Sequence, residues 1–279
     1  MDLLKFQLGN TKLPDYLLFS LRSGHECPFA HLCHTRVYPD KPSGEKIRHF
    51  AIEQGLEGAF GCFSAGDEMA YSNVYKARLH NVLLLQKAAN LVPSRDLFNR
   101  ATMMCELLYE SILHADPKNK HPRCRVHVGG DFFSYEYMWA WLRVAERMPN
   151  REFYAYTKSL PFWLRHHFEN HFPVTENFKM TASAGGRADA MIDLFPDVFK
   201  RVSHVVADPA DSKHPIEHGE DELCFQESGH FDLILHGHQP ANTDQSRQVY
   251  LNKKNGWSYS RENLTNRREQ VKQLLELHV

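Results

Sequence analysis

Three cysteines stand where a chain can wrap an inorganic centre. Cys27 and Cys33 lie in Cys-Pro-Phe-Ala-His-Leu-Cys, and Cys62 in Gly-Cys-Phe-Ser-Ala. Thiolates are the preferred ligands of zinc and of iron–sulfur clusters, and polar loops containing Gly or Pro hold such ligands more readily than an amphipathic helix does. The intervening stretches of five and twenty-eight residues match no standard zinc or ferredoxin spacing. Three unrelated buried thiols therefore remain the competing reading. Cys105 falls on the apolar side of a helical pattern with Met104 and Leu108, and Cys124 falls inside a strand; both are expected to pack.

Two further segments have chemistry-bearing patterns. Gly129-Gly130-Asp131 follows Val126-His127-Val128 and precedes a helix. Glycines at a strand end permit close backbone approach by a ligand, and a carboxylate can bind an ammonium or hydroxyl group. A tight turn with Asp131 near a helix N-terminus explains the same residues. No Gly-x-Gly-x-x-Gly or Walker pattern occurs, which disfavours a dinucleotide or P-loop site. Residues 204–238 hold six of the 18 histidines, and Cys224, Glu227 and His230 stand three residues apart. They could form a second metal site or be surface groups of an acidic loop. Tyr156, Lys158 and Ser183 sit at strand ends as candidate substrate contacts.

These residues are placed by a repeating βα pattern. Strand-like runs begin near Arg123, Glu152, Asn177, Val202 and Phe231, at intervals of 29, 25, 25 and 29 residues. That rhythm indicates βα units and a parallel sheet. Helices are expected after Ser134, from Pro161 through Phe172, and over Arg187–Lys200. The first 120 residues supply a strand at Tyr16–Leu21, one helix over Glu68–Ala89 and another starting at Pro93-Ser94. If the strands are parallel, the polar segments after them gather on one face, at the carboxyl ends, where ligands bind in α/β folds. The expected architecture is α/β, a partial or complete (β/α) barrel over residues 1–240, with a loop-rich insertion at 34–61. Residues 241–279 form an extension carrying an amphipathic helix.

Composition narrows the function classes. A chain of 279 residues with 42% hydrophobic content can bury a full core. Thirty-three basic and 34 acidic residues leave a net charge of −1, so nucleic-acid binding is not indicated by net charge. No apolar run approaches the ~18 residues of a membrane span, and the N-terminus lacks a basic-then-apolar leader. A cytosolic protein with reduced thiols, not a disulfide framework, is expected.

Several of these pieces together resemble one family. Cys27-Pro-x-Ala30 with Cys33, Cys62-Phe-Ser-Ala, Tyr75 with Arg78 and Asn81, the 125–137 block and Phe-Tyr-Ala-Tyr-Thr-Lys-Ser at 153–159 resemble the phage gene product 88 family, a phage and bacterial family of unassigned activity. The resemblance runs over about residues 8–238. That family is in turn similar to radical S-adenosylmethionine enzymes. By that similarity, Cys27, Cys33 and Cys62 would hold a [4Fe–4S] cluster, and Gly129, Gly130 and Asp131 would bind the methionine amino group of S-adenosylmethionine. The cysteine spacing departs from the three and two residues usual in radical enzymes, and Asp131 is one methylene shorter than the usual Glu. Of a further cysteine pattern near the C-terminal strands, this chain keeps only Cys224, with Glu227 and His230 at the other places.

The leading expectation is therefore an iron–sulfur protein of phage or bacterial origin, acting in the cytoplasm (the host's, if phage-encoded), and an enzyme of the radical S-adenosylmethionine type on an unidentified substrate. The alternative is a non-catalytic phage protein, stabilised by zinc, that binds a host factor or nucleic acid. A third reading is hydrolysis at a histidine metal centre around His204, Asp208 and His236.

Overall fold

The computed structural model describes residues 2–31, 33–34, 36–39, 46–49, 62–169, 175–206, 209–217 and 221–234. The elements run β1 (Gln7–Leu8), β2 (Tyr16–Leu18), β3 (Arg36–Pro39), β4 (Lys46–His49), α1 (Phe63–Ala70), α2 (Ser72–Ala89), α3 (Leu97–Ala115), β5 (Arg123–Val126), α4 (Tyr135–Arg147), β6 (Glu152–Thr157), α5 (Leu160–Glu169), β7 (Phe178–Ser183), α6 (Ala190–Leu194), β8 (Arg201–Val206), β9 (Ile216–Glu217) and β10 (Gly229–Ile234). Single 3-10 turns lie at Pro209–Asp211 and Glu222–Phe225.

Eight strands form one sheet in the order β1-β2-β5-β6-β7-β8-β10-β9. Every pairing is parallel except β1 with β2. All five strands expected after residue 120 are present, and so is the first. Among the described residues the sheet is open, with β1 and β9 at its edges.

Alternation along the strands divides the core in two. Leu17, Phe19, Cys124, Val126, Phe153, Ala155, Met180, Ala182 and Val202 pack against α2 to α6 in the main core. Tyr16, Leu18 and Tyr154 point the other way, onto Leu13, Cys224, Tyr156 and Phe225. The helix face is closed by α4, capped by Ser134, whose hydroxyl accepts from Tyr137 N–H at 3.3 Å. Trp141 of that helix is fully buried between Phe19 and Phe153, with ring centroids 5.3 and 6.2 Å away. Cys105 and Cys124 are buried packing residues, as their patterns suggested.

Three local expectations need correction. The helix expected over 68–89 is two helices broken at Tyr71, which is extended (φ −126°, ψ 111°). Asp96 caps α3, accepting from Asn99 N–H, so that helix starts after Pro93-Ser94. α6 spans five residues only and ends at Leu194, well short of Lys200. Within the insertion expected at 34–61, the described strands β3 and β4 pair antiparallel, and most of the rest lies outside the described residues. The extension at 241–279 and the last residues expected for α5 lie outside the described residues.

Candidate thiol-lined cavity

The polar segments that follow the strands do converge. A cavity of about 170 Å³ at the carboxyl ends of the parallel strands is lined by Cys27, Cys33 and Cys62, by Gly129, Gly130 and Asp131, and by Tyr156, Lys158 and Ser183. Arg125, His127 and Asp221 line it too. Its volume is several times the ~30 Å³ share of one liquid water, so it suits a compact ligand and not a lone solvent molecule.

The cysteine loop is held from three sides. Ser23 donates from both N–H and hydroxyl to Glu68 Oε1 at 2.8 and 3.0 Å, and Arg78 donates to the same oxygen at 2.8 Å. Arg78 also donates to the carbonyl of Ser64, 2.8 Å away and two residues after Cys62. One guanidinium thus ties the segment carrying Cys62 to the segment carrying Cys27. Asn81, one turn on, donates to Ser20 O and Lys5 O at 3.1 and 3.0 Å. Tyr75, Arg78 and Asn81 share the buried face of α2, so their recurrence at i, i+3, i+6 has a positioning role. On the far side, Ala30 bridges Gly186, and Arg187 N–H donates to Phe29 O at 2.8 Å.

Burial sets the state of the thiols. It pushes Cys27 well above the ordinary thiol value, with Asp131, Cys62 and Cys33 adding negative charge. Burial likewise raises Cys33, opposed by the Lys158 ammonium, and lifts Cys62 to about 12. These are neutral thiols, unlike the depressed thiolates that serve as nucleophiles. A bound cation would displace their protons. Among the described residues, the three sulfurs do not form a set whose donor atoms all lie within 4.8 Å of one another. Two sulfurs on one tetrahedral zinc, with bonds near 2.3 Å, sit about 3.8 Å apart.

The glycines and Asp131 have local explanations. A Cβ on Gly129 would lie 2.0 Å from Ser64 Oγ and 2.9 Å from Arg78 Cζ. Gly130 takes φ +82°, and a Cβ there would lie 2.6 Å from that of Leu21. Asp131 accepts from Thr157 hydroxyl at 2.6 Å, Phe132 N–H at 2.7 Å and Lys158 N–H at 2.8 Å. Burial raises its pKa, and those three donors oppose the rise. Lys158 Nζ in turn donates to Ser183 Oγ at 2.7 Å and Ala184 O at 3.0 Å.

An ion pair that sequence reasoning missed crosses the other wall. Asp221, at a left-handed φ of 57°, accepts from Arg125 Nη1 and Tyr154 hydroxyl at 2.6 Å each and from Tyr156 hydroxyl at 2.9 Å. Desolvation opposes the Arg125 charge, but Asp221 overrides it and holds the guanidinium charged. The alternation of Arg123 and Arg125 in β5, continued by His127 just beyond it, was the available signal; Asp221 sat in an acidic stretch that read as solvated. Among the described residues, three buried polar atoms of the cavity lining lack a hydrogen-bond partner: Ser64 Oγ, Arg125 Nε and His127 Nδ1.

Cys224, Glu227 and His230 are not brought together. Cys224 is buried, and its thiol donates to Tyr156 hydroxyl at 2.9 Å, whereas Glu227 and His230 are exposed. Every third residue shares a face only on a helix, and this segment leaves its 3-10 turn at Phe225 to become a strand. Asp208 and His236 lie outside the described residues.

Fold and site together define an α/β protein with a thiol-lined cavity at the carboxyl ends of its parallel strands. The chain belongs to the Gene product 88 family, whose model matches residues 3–268. It is 33% identical over 97 residues to the Gene 88 protein of Mycobacterium phage L5, and 32% identical over 97 residues to that of Mycobacterium phage D29. Each match spans 35% of this chain and 38% of the relative. No solved structure matches the chain. Among the described residues, no helix is long and apolar enough to cross a membrane.

Proposed function

We infer that the cavity holds a [4Fe–4S] cluster on Cys27, Cys33 and Cys62, and that the protein is an enzyme of the radical S-adenosylmethionine type. The observation that carries this reading is that thiols at positions 27, 33 and 62 line one cavity together with Gly129, Gly130 and Asp131. Sequential strand order, with the helices packed on one face, supports a partial barrel with its site at the strands' carboxyl ends.

The residues present fit such a group. Three thiols line the cavity and would leave one iron of a cubane without a protein ligand. When bound, the cluster would supply single electrons to a sulfonium ligand. The chain's own work is placement. Arg78 and Glu68 hold the cysteine segments in register, and the Gly129-Gly130 backbone forms a close wall. Asp131 fixes Lys158 and Thr157 at the rim, with lone-pair capacity left for an ammonium. Ser64 Oγ, Arg125 Nε and His127 Nδ1, on residues that line the cavity, have no hydrogen-bond partner among the described residues.

Anaerobic purification followed by iron and acid-labile sulfide determination tests the reading. About four irons and four sulfides per chain are expected, with Cys27→Ala folded but colourless. Stoichiometric zinc without sulfide overturns it and leaves the zinc-stabilised binding protein.

A further inference from the structure

A second donor set lies on the same sheet. In β8 and β10, Val205 pairs with Leu233, and both line the cavity. Their neighbours His204 and Asp232 also pair in register, so the pleat turns them to the helix face, and His230, two residues before Asp232, takes the same side. His214, from the segment between the Pro209–Asp211 turn and β9, completes the group. One nitrogen from each of His204, His214 and His230 lies within 4.8 Å of the others.

We propose that His204, His214 and His230 bind a divalent first-row transition ion of the zinc type, with water in the fourth position. Nε2 of His204 lies 2.9 Å from Nδ1 of His230. Two nitrogens on one tetrahedral ion, at bonds of 2.0–2.1 Å, stand about 3.3 Å apart, so closure needs only a small ring movement. The three rings are nearly parallel, with centroids 5.0–5.3 Å apart.

The independent support is Asp232, which is 1% exposed. Its Oδ1 lies 3.1 Å from His214 Nδ1. Its Oδ2 accepts from Ser212 hydroxyl and Lys213 N–H at 2.8 Å each and from His214 N–H at 3.1 Å. A carboxylate behind one ring nitrogen fixes the tautomer and leaves Nε2 as a ligand, the outer-shell arrangement of metal-bound histidines. It also fastens the segment bearing His214 to β10. Asp193 of α6 adds negative charge near His204 and His230. His204 and His214 are half-buried and His230 is exposed, so the open position faces solvent. Imidazoles alone suit zinc, nickel or copper and not an iron–sulfur centre, so this site is independent of the cavity.

The test uses the full chain with Cys27, Cys33 and Cys62 replaced by Ser, titrated with Co²⁺. One ion per chain is expected, showing ligand-field bands in the visible and no thiolate charge-transfer band. His230→Gln, at an exposed position, should weaken binding at least tenfold, and Asp232→Asn by about 10–100-fold. An absence of binding, or binding unchanged in His230→Gln, overturns the proposal. If the triple-Ser chain fails to fold, side-chain ¹H–¹⁵N NMR of the unmutated chain with Zn²⁺ decides: the ring signals of His204, His214 and His230 must shift together, and unshifted signals overturn it. Neither result changes the iron and sulfide count that tests the cavity.

Discussion

On the cavity face, three thiols are gathered from segments up to 35 residues apart (27 to 62) by Arg78, Glu68 and Ser23. On the helix face, three imidazoles are gathered by two adjacent strands and one short segment organised by Asp232. The first set is half-buried, soft, carried on loops and dependent on long-range tertiary contacts. The second is half-exposed, harder, and built almost entirely from local sheet register. The contrast teaches that one sheet can support two donor chemistries, one carried on loops beyond its strand ends and one on the pleat of the strands themselves. Sulfur against nitrogen decides which set is softer, and desolvation keeps the thiols proton-bearing.

The contrast breaks most severely at Asp221. Asp221→Ala leaves Arg125, Tyr154 and Tyr156 with no acceptor in the cavity wall and should cost about 3 kcal/mol, read as a lower urea midpoint at unchanged m-value. His127 sharpens the same side through pH. Burial pushes its pKa down to about 3. The native ring therefore stays neutral while the unfolded chain takes up a proton near pH 6.5. Its contribution is full above pH 6.5 and is lost as pH falls toward 3, about 2 kcal/mol by pH 5 at ~1.4 kcal/mol per unit. His127→Asn, which tolerates the left-handed φ of 71°, should lack that component when urea midpoints at pH 7.5 and pH 5 are compared. Gly130→Ala should cost about 1–3 kcal/mol in thermal or urea unfolding, because the φ and the Leu21 contact are both unfavourable. On the other face, His230→Gln should change the urea-derived stability by less than about 0.5 kcal/mol while removing ion binding.

Much of this was legible in the sequence. The strands from residue 123 onward were readable because their β-rich runs recur at 25–29 residues and each is followed by Gly, Ser or Asp. Cys27, Cys33, Cys62 and the Gly129–Asp131 segment were readable by residue type, and the cavity does collect them. The break at Tyr71 and the short α6 were not, because helical periodicity continues across both positions. The histidine set was misassigned within its segment. His230 was grouped with Cys224 and Glu227 by spacing, whereas its partners, His204 and His214, lie 26 and 16 residues upstream.

Residue type and local period are written in the chain, so the sequence alone determined most of the strands and helices, the packing of Cys105 and Cys124, and which loops carry reactive groups. Register between strands, the side of the pleat that each residue takes, and the pairing of Arg125 with Asp221 or of Asp232 with His214 arise only when distant segments meet. The energies that fix them are burial and hydrogen bonding between segments, and these have no value until the sheet is assembled.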